Sequence, residues 1–264
     1  MSSAREQEVV LLVSRKDIAG MNMLEFLDPG LKSRVKIFEK DSVYSEDELI
    51  QHATSGTSCI FLSRHRAQSL RPSFTVHPVG NFGEAMVGGK TGTLSPCNAF
   101  TLKRLLMNIN RLVSSGEYTL AYDYEVSIEA THHGPLSPVA LAFIEVGSSE
   151  TQWQEQEACR LIAGAVNLFF KERSITEDNW TPAIAFGSNH YSSKFSSMVL
   201  ETETALGHVC AKYAIPDLNE ELVRQMVEKT IPRPVVAFFD KKSVKRKQEI
   251  RNWLAECGIE VIQV

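Results

Sequence analysis

The sequence lacks most of the features that would place a protein at a membrane or outside the cell. No apolar run approaches the roughly 18 residues that a spanning helix requires. The opening stretch, MSSAREQE, is polar and charged, without the apolar segment of a secretion leader. Cysteine is sparse: five residues (Cys59, Cys97, Cys159, Cys210 and Cys257), odd in number and without a Cys-x-x-Cys pair. That excludes a disulfide framework and a paired-thiolate metal site, and leaves reduced thiols. A cytoplasmic protein with no membrane partner is expected. Positive charge is also short. The formal net charge is −4, so a nucleic-acid partner must be met by a local basic patch. The GxSxG elbow, the P-loop, the GxGxxG fingerprint and the HExxH helix are all missing. No low-complexity linker divides the chain, and a single domain over 1–264, acting as a monomer, is expected.

What is present is enough apolar residue, 43% of 264, to bury a large core. EVVLLVS (8–14), SCIFLS (58–63) and VALAFIEVGS (139–148) read as buried strands, the first in the pattern of one covered on both faces, PAIAFGSNHYS (182–192) as a strand running into a turn, and PVVAFFD (234–240) as a strand. RVKIFE alternates and reads as a further strand, and IEVIQV as the last one. Helical spacing marks KDIAGMNMLEFL, NAFTLKRLLMNINRLV (98–113), SETQWQEQEACRLIAGAVNLFF (149–170), NEELVRQMVEK and KKSVKRKQEIRNWLAECG (241–258). SEDELIQHA predicts a short helix with a Ser45–Glu48 capping box. Strands alternating with helices predict a three-layer α/β/α sandwich with a parallel or mixed sheet. Residues 64–98 read as a glycine-rich loop insertion, and long loops inside a domain tend to carry function.

Seven histidines are present, and six stand beside glycine or polar residues near predicted strand ends: His65, His77, His132, His133, His190 and His208. Open α/β sheets place their sites at such ends. Three nitrogen or oxygen ligands plus a water make a catalytic zinc centre, and Glu129 and Glu145 add carboxylates to the imidazoles. Each residue also has an ordinary role open to it. His132 and His133 point opposite ways on a regular strand, until Gly134-Pro135 turns the chain. His77 would cap a loop, His208 would be a satisfied core imidazole, His65 a solvated residue between Arg64 and Arg66, and Glu129 an exposed strand residue. The basic run Lys241, Lys242, Lys245, Arg246 suits phosphate at a helix start, or a solvated helix face.

Taken in order, SRHRAQSLRPSFTVHPVGN, EATHHGP, FGSNHY, LGHVCAKY and FFDKKSVKRKQ resemble the D-aminoacyl-tRNA deacylases of the archaeal and plant type. The resemblance extends over nearly the whole chain and includes LLVSRKDIAGMNMLEFL. One departure is Phe186-Gly187-Ser188, where a Gly-Gly pair is commoner. The resemblance implies a phosphorylase/hydrolase-like fold and hydrolysis of the ester between a D-amino acid and the 3′ end of tRNA. It also implies Zn²⁺, with His132, His133, His190 and His208 as ligand candidates. His132, His133, Glu129, His77 and Asn81 would then do the chemistry, with Asn81 donating to the oxyanion. Arg64, His65, Arg66, Gly88, Gly89, Asn189, Tyr191, Lys241, Lys242, Lys245 and Arg246 would bind the substrate. On the same fold a nucleoside phosphorylase, a zinc aminopeptidase or a non-catalytic tRNA-binding module would account for the residues alone.

Overall fold

An apolar, β-branched run with no polar interruption is stable as a strand when neighbours cover both faces, and Glu8–Ser14 forms such a strand, β1. The computed structural model describes residues 8–53, 57–172 and 179–264. After β1 come α1 (Ile18–Glu25), α2 (Pro29–Lys32), β2 (Lys36–Phe38), α3 (Glu46–His52), β3 (Thr57–Arg66), β4 (Ser73–Pro78), β5 (Gly80–Asn81), β6 (Thr93–Leu94), β7 (Cys97–Asn98), α4 (Ala99–Ser115) and β8 (Glu125–Ile128). Then follow β9 (Ala140–Ser148), α5 (Glu150–Trp153), α6 (Gln156–Lys171), β10 (Thr181–Phe186), α7 (Ser193–Glu201), β11 (Thr204–Cys210), α8 (Glu220–Glu228), β12 (Thr230–Ile231), β13 (Val236–Phe239), α9 (Lys247–Glu256) and β14 (Glu260–Gln263).

The larger sheet has the order β2-β1-β3-β9-β4-β8. Its first four strands are parallel, β4 runs antiparallel to β9, and β8 is parallel to β4. The smaller sheet, β11-β10-β13-β14, is parallel throughout. The two meet beyond the end of β8: Ala130 N–H donates to the His190 carbonyl, Thr131 N–H to the Val209 carbonyl, and Glu129 bridges Tyr191.

Helices cover both sides, as the alternation of strands and helices predicts. Leu11, Val13, Ile60, Leu62, Val76 and Ile144 pack with Met23 of α1, Leu105 and Ile109 of α4 and Ile162 of α6. Leu12, Phe61, Leu141 and Phe143 turn the other way, towards Leu49 of α3. Ile184 and Phe239 of the smaller sheet pack on Val223 of α8 and Ile250 and Leu254 of α9. Each fully buried Leu, Ile or Phe contributes roughly 1.5–3 kcal/mol, so these faces fix the layering. Gly20 lets α1 lie close on β3, because a β-carbon there would stand 2.5 Å from the Leu62 carbonyl oxygen.

Four local expectations are corrected. Residues 64–98 are not one loop: they hold the end of β3, all of β4, and the short strands β5 to β7. The helix expected over 149–170 is broken into α5 and α6, where the Glu155 carboxylate turns out to take the Ala121 N–H and the Tyr124 hydroxyl. The basic helix begins at Lys247, not 241, because Ser243 bonds the Asp240 carboxylate and Arg246 is left-handed. α3 forms without its capping box: Ser45 Oγ donates to the Ser42 carbonyl, while Glu48 accepts from the Glu39 and Lys40 N–H groups.

Candidate active site

Side chains alternate across a sheet, and on the face turned to α3 the apolar residues give way to polar ones. Following Cys59 and Phe61, β3 places Ser63 and His65 there; following Leu141 and Phe143, β9 places Glu145 there. β4 contributes Thr75 and His77, with Thr75 paired opposite Glu145 and His77 opposite Phe143. Glu129, the residue after β8, reaches the same place. Its carboxylate and that of Glu145 each lie 3.2 Å from His65 Nδ1.

A second group lies alongside. The rings of His77, His132 and His133 cluster at tilted and edge-on angles, with centroids 4.3 to 4.9 Å apart. Each commits Nδ1 to a backbone carbonyl, which can only accept: His77 to Pro78 at 3.1 Å, His132 to Ala130 at 2.8 Å, His133 to Gly134 at 2.5 Å. Nε2 is therefore the nitrogen turned inward on all three rings, that of His77 lying 3.6 Å from the Glu145 carboxylate and that of His132 3.7 Å from the Glu129 carboxylate. One ligand atom from each lies within 4.8 Å of the others. Fixing the tautomer through Nδ1 is how proteins orient metal-binding imidazoles. His77 Nε2 is buried and has no hydrogen-bond partner, a condition that buried polar atoms rarely tolerate. His133 sits at a backbone φ of +41° and is followed by the Gly134-Pro135 peptide, so the turn brings both members of the doublet to one side.

Burial and charge act against each other here. Burial alone would lower the His65 pKa, but the Glu129 and Glu145 carboxylates overcome it and raise it to about 9. His65 is then cationic, and its Nε2–H donates to the Tyr191 oxygen at 2.6 Å. His77 is raised by the same contest, chiefly through Glu145. Burial and the neighbouring imidazoles push His132 well down and His133 down to about 4, so both are neutral. Glu145, despite burial, is held down to about 2 by His65 and His77. His190 donates from Nε2 to Glu129 at 2.8 Å, and its Nδ1 is 2.9 Å from the Tyr213 hydroxyl. A cavity of about 400 Å³ opens over these groups, lined by Arg64, His65, Arg66, His132, His133, Glu145, His190, Val43, Tyr44 and Val87 among others.

The structure brings together His65, His77, Glu129, His132, His133, His190 and Tyr191. His77 is a buried strand residue rather than a loop cap, and His65 is a buried strand-end residue rather than a solvated one. Glu129 likewise is not an exposed strand residue but fully buried. His208 lies elsewhere: it is buried in β11 with Nδ1 on Thr131 Oγ1, burial drives its pKa down to about 3, and it joins none of the metal-competent groups among the described residues. Asn81 holds the glycine loop by donating to the Gly88 carbonyl, while Gly88 and Gly89 pack against Val43 and Gly134 of the protein itself. Asn189 is exposed beside Tyr191 in a second cavity of about 300 Å³. Lys241, Lys242 and Lys245 lie outside the cleft lining, and Arg246 is tied to Glu249 and to the carbonyls of Ile215, Pro216 and Leu218. Sequence reasoning gave too little weight to Glu145 and passed over Thr75 and Tyr213. A lone carboxylate in the apolar run ALAFIEVG was the available signal for Glu145.

An α/β sandwich with imidazoles and carboxylates buried under an open cleft, and with no cysteine among them, fits a hydrolase: such groups can transfer protons or hold a cation. Comparison with known proteins narrows this. The profile of the D-aminoacyl-tRNA deacylase family matches residues 53–262, and the chain belongs to that family. A D-aminoacyl-tRNA deacylase of Ignicoccus hospitalis is 34% identical over 246 residues, 90% of this chain and 96% of the relative. One from Thermococcus kodakarensis is 30% identical, covering 96% of this chain and 99% of the relative. A crystal structure described as a conserved protein of unknown function superposes with a TM-score of 0.85 at 26% identity, over 97% of this chain and 95% of the other.

Proposed function

We propose that the protein hydrolyses the ester joining a D-amino acid to the 3′-terminal ribose of tRNA, as a cytoplasmic monomer, with Zn²⁺ held by His77, His132 and His133. Family membership supports the reaction, and the observation that carries the site is the set of three imidazoles whose Nδ1–H groups are all tied to carbonyls, with the buried Nε2 of His77 making no hydrogen bond and lying 3.6 Å from the Glu145 carboxylate. Among the described residues no helix is long and apolar enough to cross a membrane. When bound, the ion would supply Lewis acidity and a water of lowered pKa.

The chain's own groups have separate tasks. Glu129 is fully buried and fixes the ring of His190, whose Nδ1 faces the hydroxyl of Tyr213. This carboxylate–imidazole pair accepts the proton released as water attacks the ester. The cationic His65–Tyr191 pair supplies positive charge and a hydroxyl near the departing ribose oxygen. Arg66, exposed in the cleft lining, attracts the phosphates.

The test is deacylation of D-Tyr-tRNA and L-Tyr-tRNA, with chelator and then with zinc restored. Selective loss of the D-form, abolished by chelator and recovered with zinc, is the expected result. Equal rates for both enantiomers defeat the proposal, as does turnover of a nucleoside with phosphate, or of a peptide, in place of tRNA. Activity untouched by exhaustive chelation removes the metal from it.

A further inference from the structure

The cleft lining holds two kinds of side chain. One is basic, Arg64 and Arg66 at the end of β3. Arg64 is engaged, with its guanidinium on the Asp41 carboxylate and the Lys16 carbonyl. Arg66 is exposed and lies over the Trp153 ring, 5.2 Å from its centroid. The other, Val43, Tyr44 and Val87, forms an apolar wall that adjoins the Asp41–Arg64 pair. Tyr44 is 52% exposed, Val87 43%, and the adjoining Met86 75%.

Scattered apolar side chains in water need no explanation, but these stand on a fixed rim. The Val87 carbonyl accepts from Gly134 N–H at 2.9 Å, the Gly88 carbonyl from Asn81 at 3.0 Å, and Gly89 N–H donates to Glu46 at 2.8 Å. Gly88, at a φ of +62°, packs so tightly on the Val43 carbonyl that a β-carbon would lie 1.7 Å from its oxygen. The segment bearing Tyr44 and the segment bearing Val87 are thus locked together, directly beside His133.

Resting on the deacylase reading above, we propose that this wall is the subsite for the adenine ring of the substrate's terminal nucleotide, with Tyr44 as its stacking platform and Arg66 as the contact for the adjoining phosphate. A nucleotide presents a flat apolar face next to an anion, matching an exposed aromatic ring and an exposed cation in one cleft lining. The amino acid changes from one substrate to the next, whereas the terminal adenosine is common to all tRNAs. A rigid aromatic surface suits the constant part. Stacking on an aromatic ring is worth about tenfold or more in affinity per base.

The experiment compares wild type, Tyr44→Ala and Tyr44→Phe on D-Tyr-tRNA and D-Ala-tRNA, alongside fluorescence titration of each protein with AMP. Tyr44→Ala is expected to lower kcat/KM about tenfold or more through KM, by the same factor for both substrates, and to weaken AMP to a similar degree. Tyr44→Phe keeps the ring and stays near wild type. A loss confined to D-Tyr-tRNA would place the amino-acid side chain on this wall and overturn the proposal. So would unchanged rates and unchanged AMP affinity in Tyr44→Ala. A wild type inert towards both substrates sinks the deacylase reading by itself, and the AMP titration still decides the adenine subsite.

Discussion

Replacing Glu145 by glutamine keeps the size of the side chain and removes one of two negative charges that face His65. The carboxylates of Glu129 and Glu145 stand at the same 3.2 Å from Nδ1, and together they raise that imidazole from 6.5 to about 9. A rise of about 2.5 units is roughly 3.5 kcal/mol of preference for the cation, at about 1.4 kcal/mol per unit. Burial opposes both carboxylates, so removing one forfeits at least half of this, on the order of 2 kcal/mol. Because the folded pKa lies above the unfolded one, this stabilisation is fully present below about pH 6.5 and is lost as pH rises through about 9. Urea unfolding of the metal-free protein measures it. Glu145→Gln should be destabilised by about 2 kcal/mol near pH 6, and the gap should close towards about pH 10. A destabilisation of constant size across that window would mean that glutamine merely packs badly, and the electrostatic account of the centre would fail.

Three further outcomes are expected. Gly88→Ala strains a left-handed residue against the Val43 carbonyl, so it should lower deacylation well below wild type while thermal unfolding shifts only modestly, the damage being confined to the rim. His208→Leu removes a buried imidazole outside the metal-competent groups; bound zinc, measured by elemental analysis, should persist, whereas His133→Ala should weaken zinc affinity by tenfold or more. Replacing Lys241, Lys242 and Lys245 together by alanine should leave kcat unchanged and flatten the dependence of KM on salt, by up to about one unit of slope for each phosphate that the lysines neutralise.

Much of the architecture follows from local pattern. β1, β3, β9, β10 and β13 are apolar runs that announce themselves, and α4 keeps a Leu102–Leu105–Ile109 stripe facing the core. β4 does not announce itself, because its inward polar face, Thr75 and His77, is buried as deeply as Phe74 and Val76. Hydrophobic periodicity sees only half of such a strand. The same blindness hides the pairing of Thr75 with Glu145, which needs the antiparallel register of β4 on β9. The doublet His132-His133 was legible from the Gly134-Pro135 turn after it. His190 and His208 have similar local contexts, and a sequence cannot say which of two buried sheet faces leads to the cleft. The site-side position of His190 comes from the junction at Glu129 and Tyr191. Lysines and arginines favour helix, so the stretch before Lys247 looks helical until Ser243 and Asp240 hold the turn.

The junction between the sheets also decides what holds the candidate catalytic groups in register. Glu129 extends from one sheet, while His190 and Tyr191 come from the chain following β10 of the other. The imidazole and the carboxylate that orients it are therefore carried by different halves of the fold. Turnover should report on the docking of those halves, failing in mild denaturant before the strands of either half come apart.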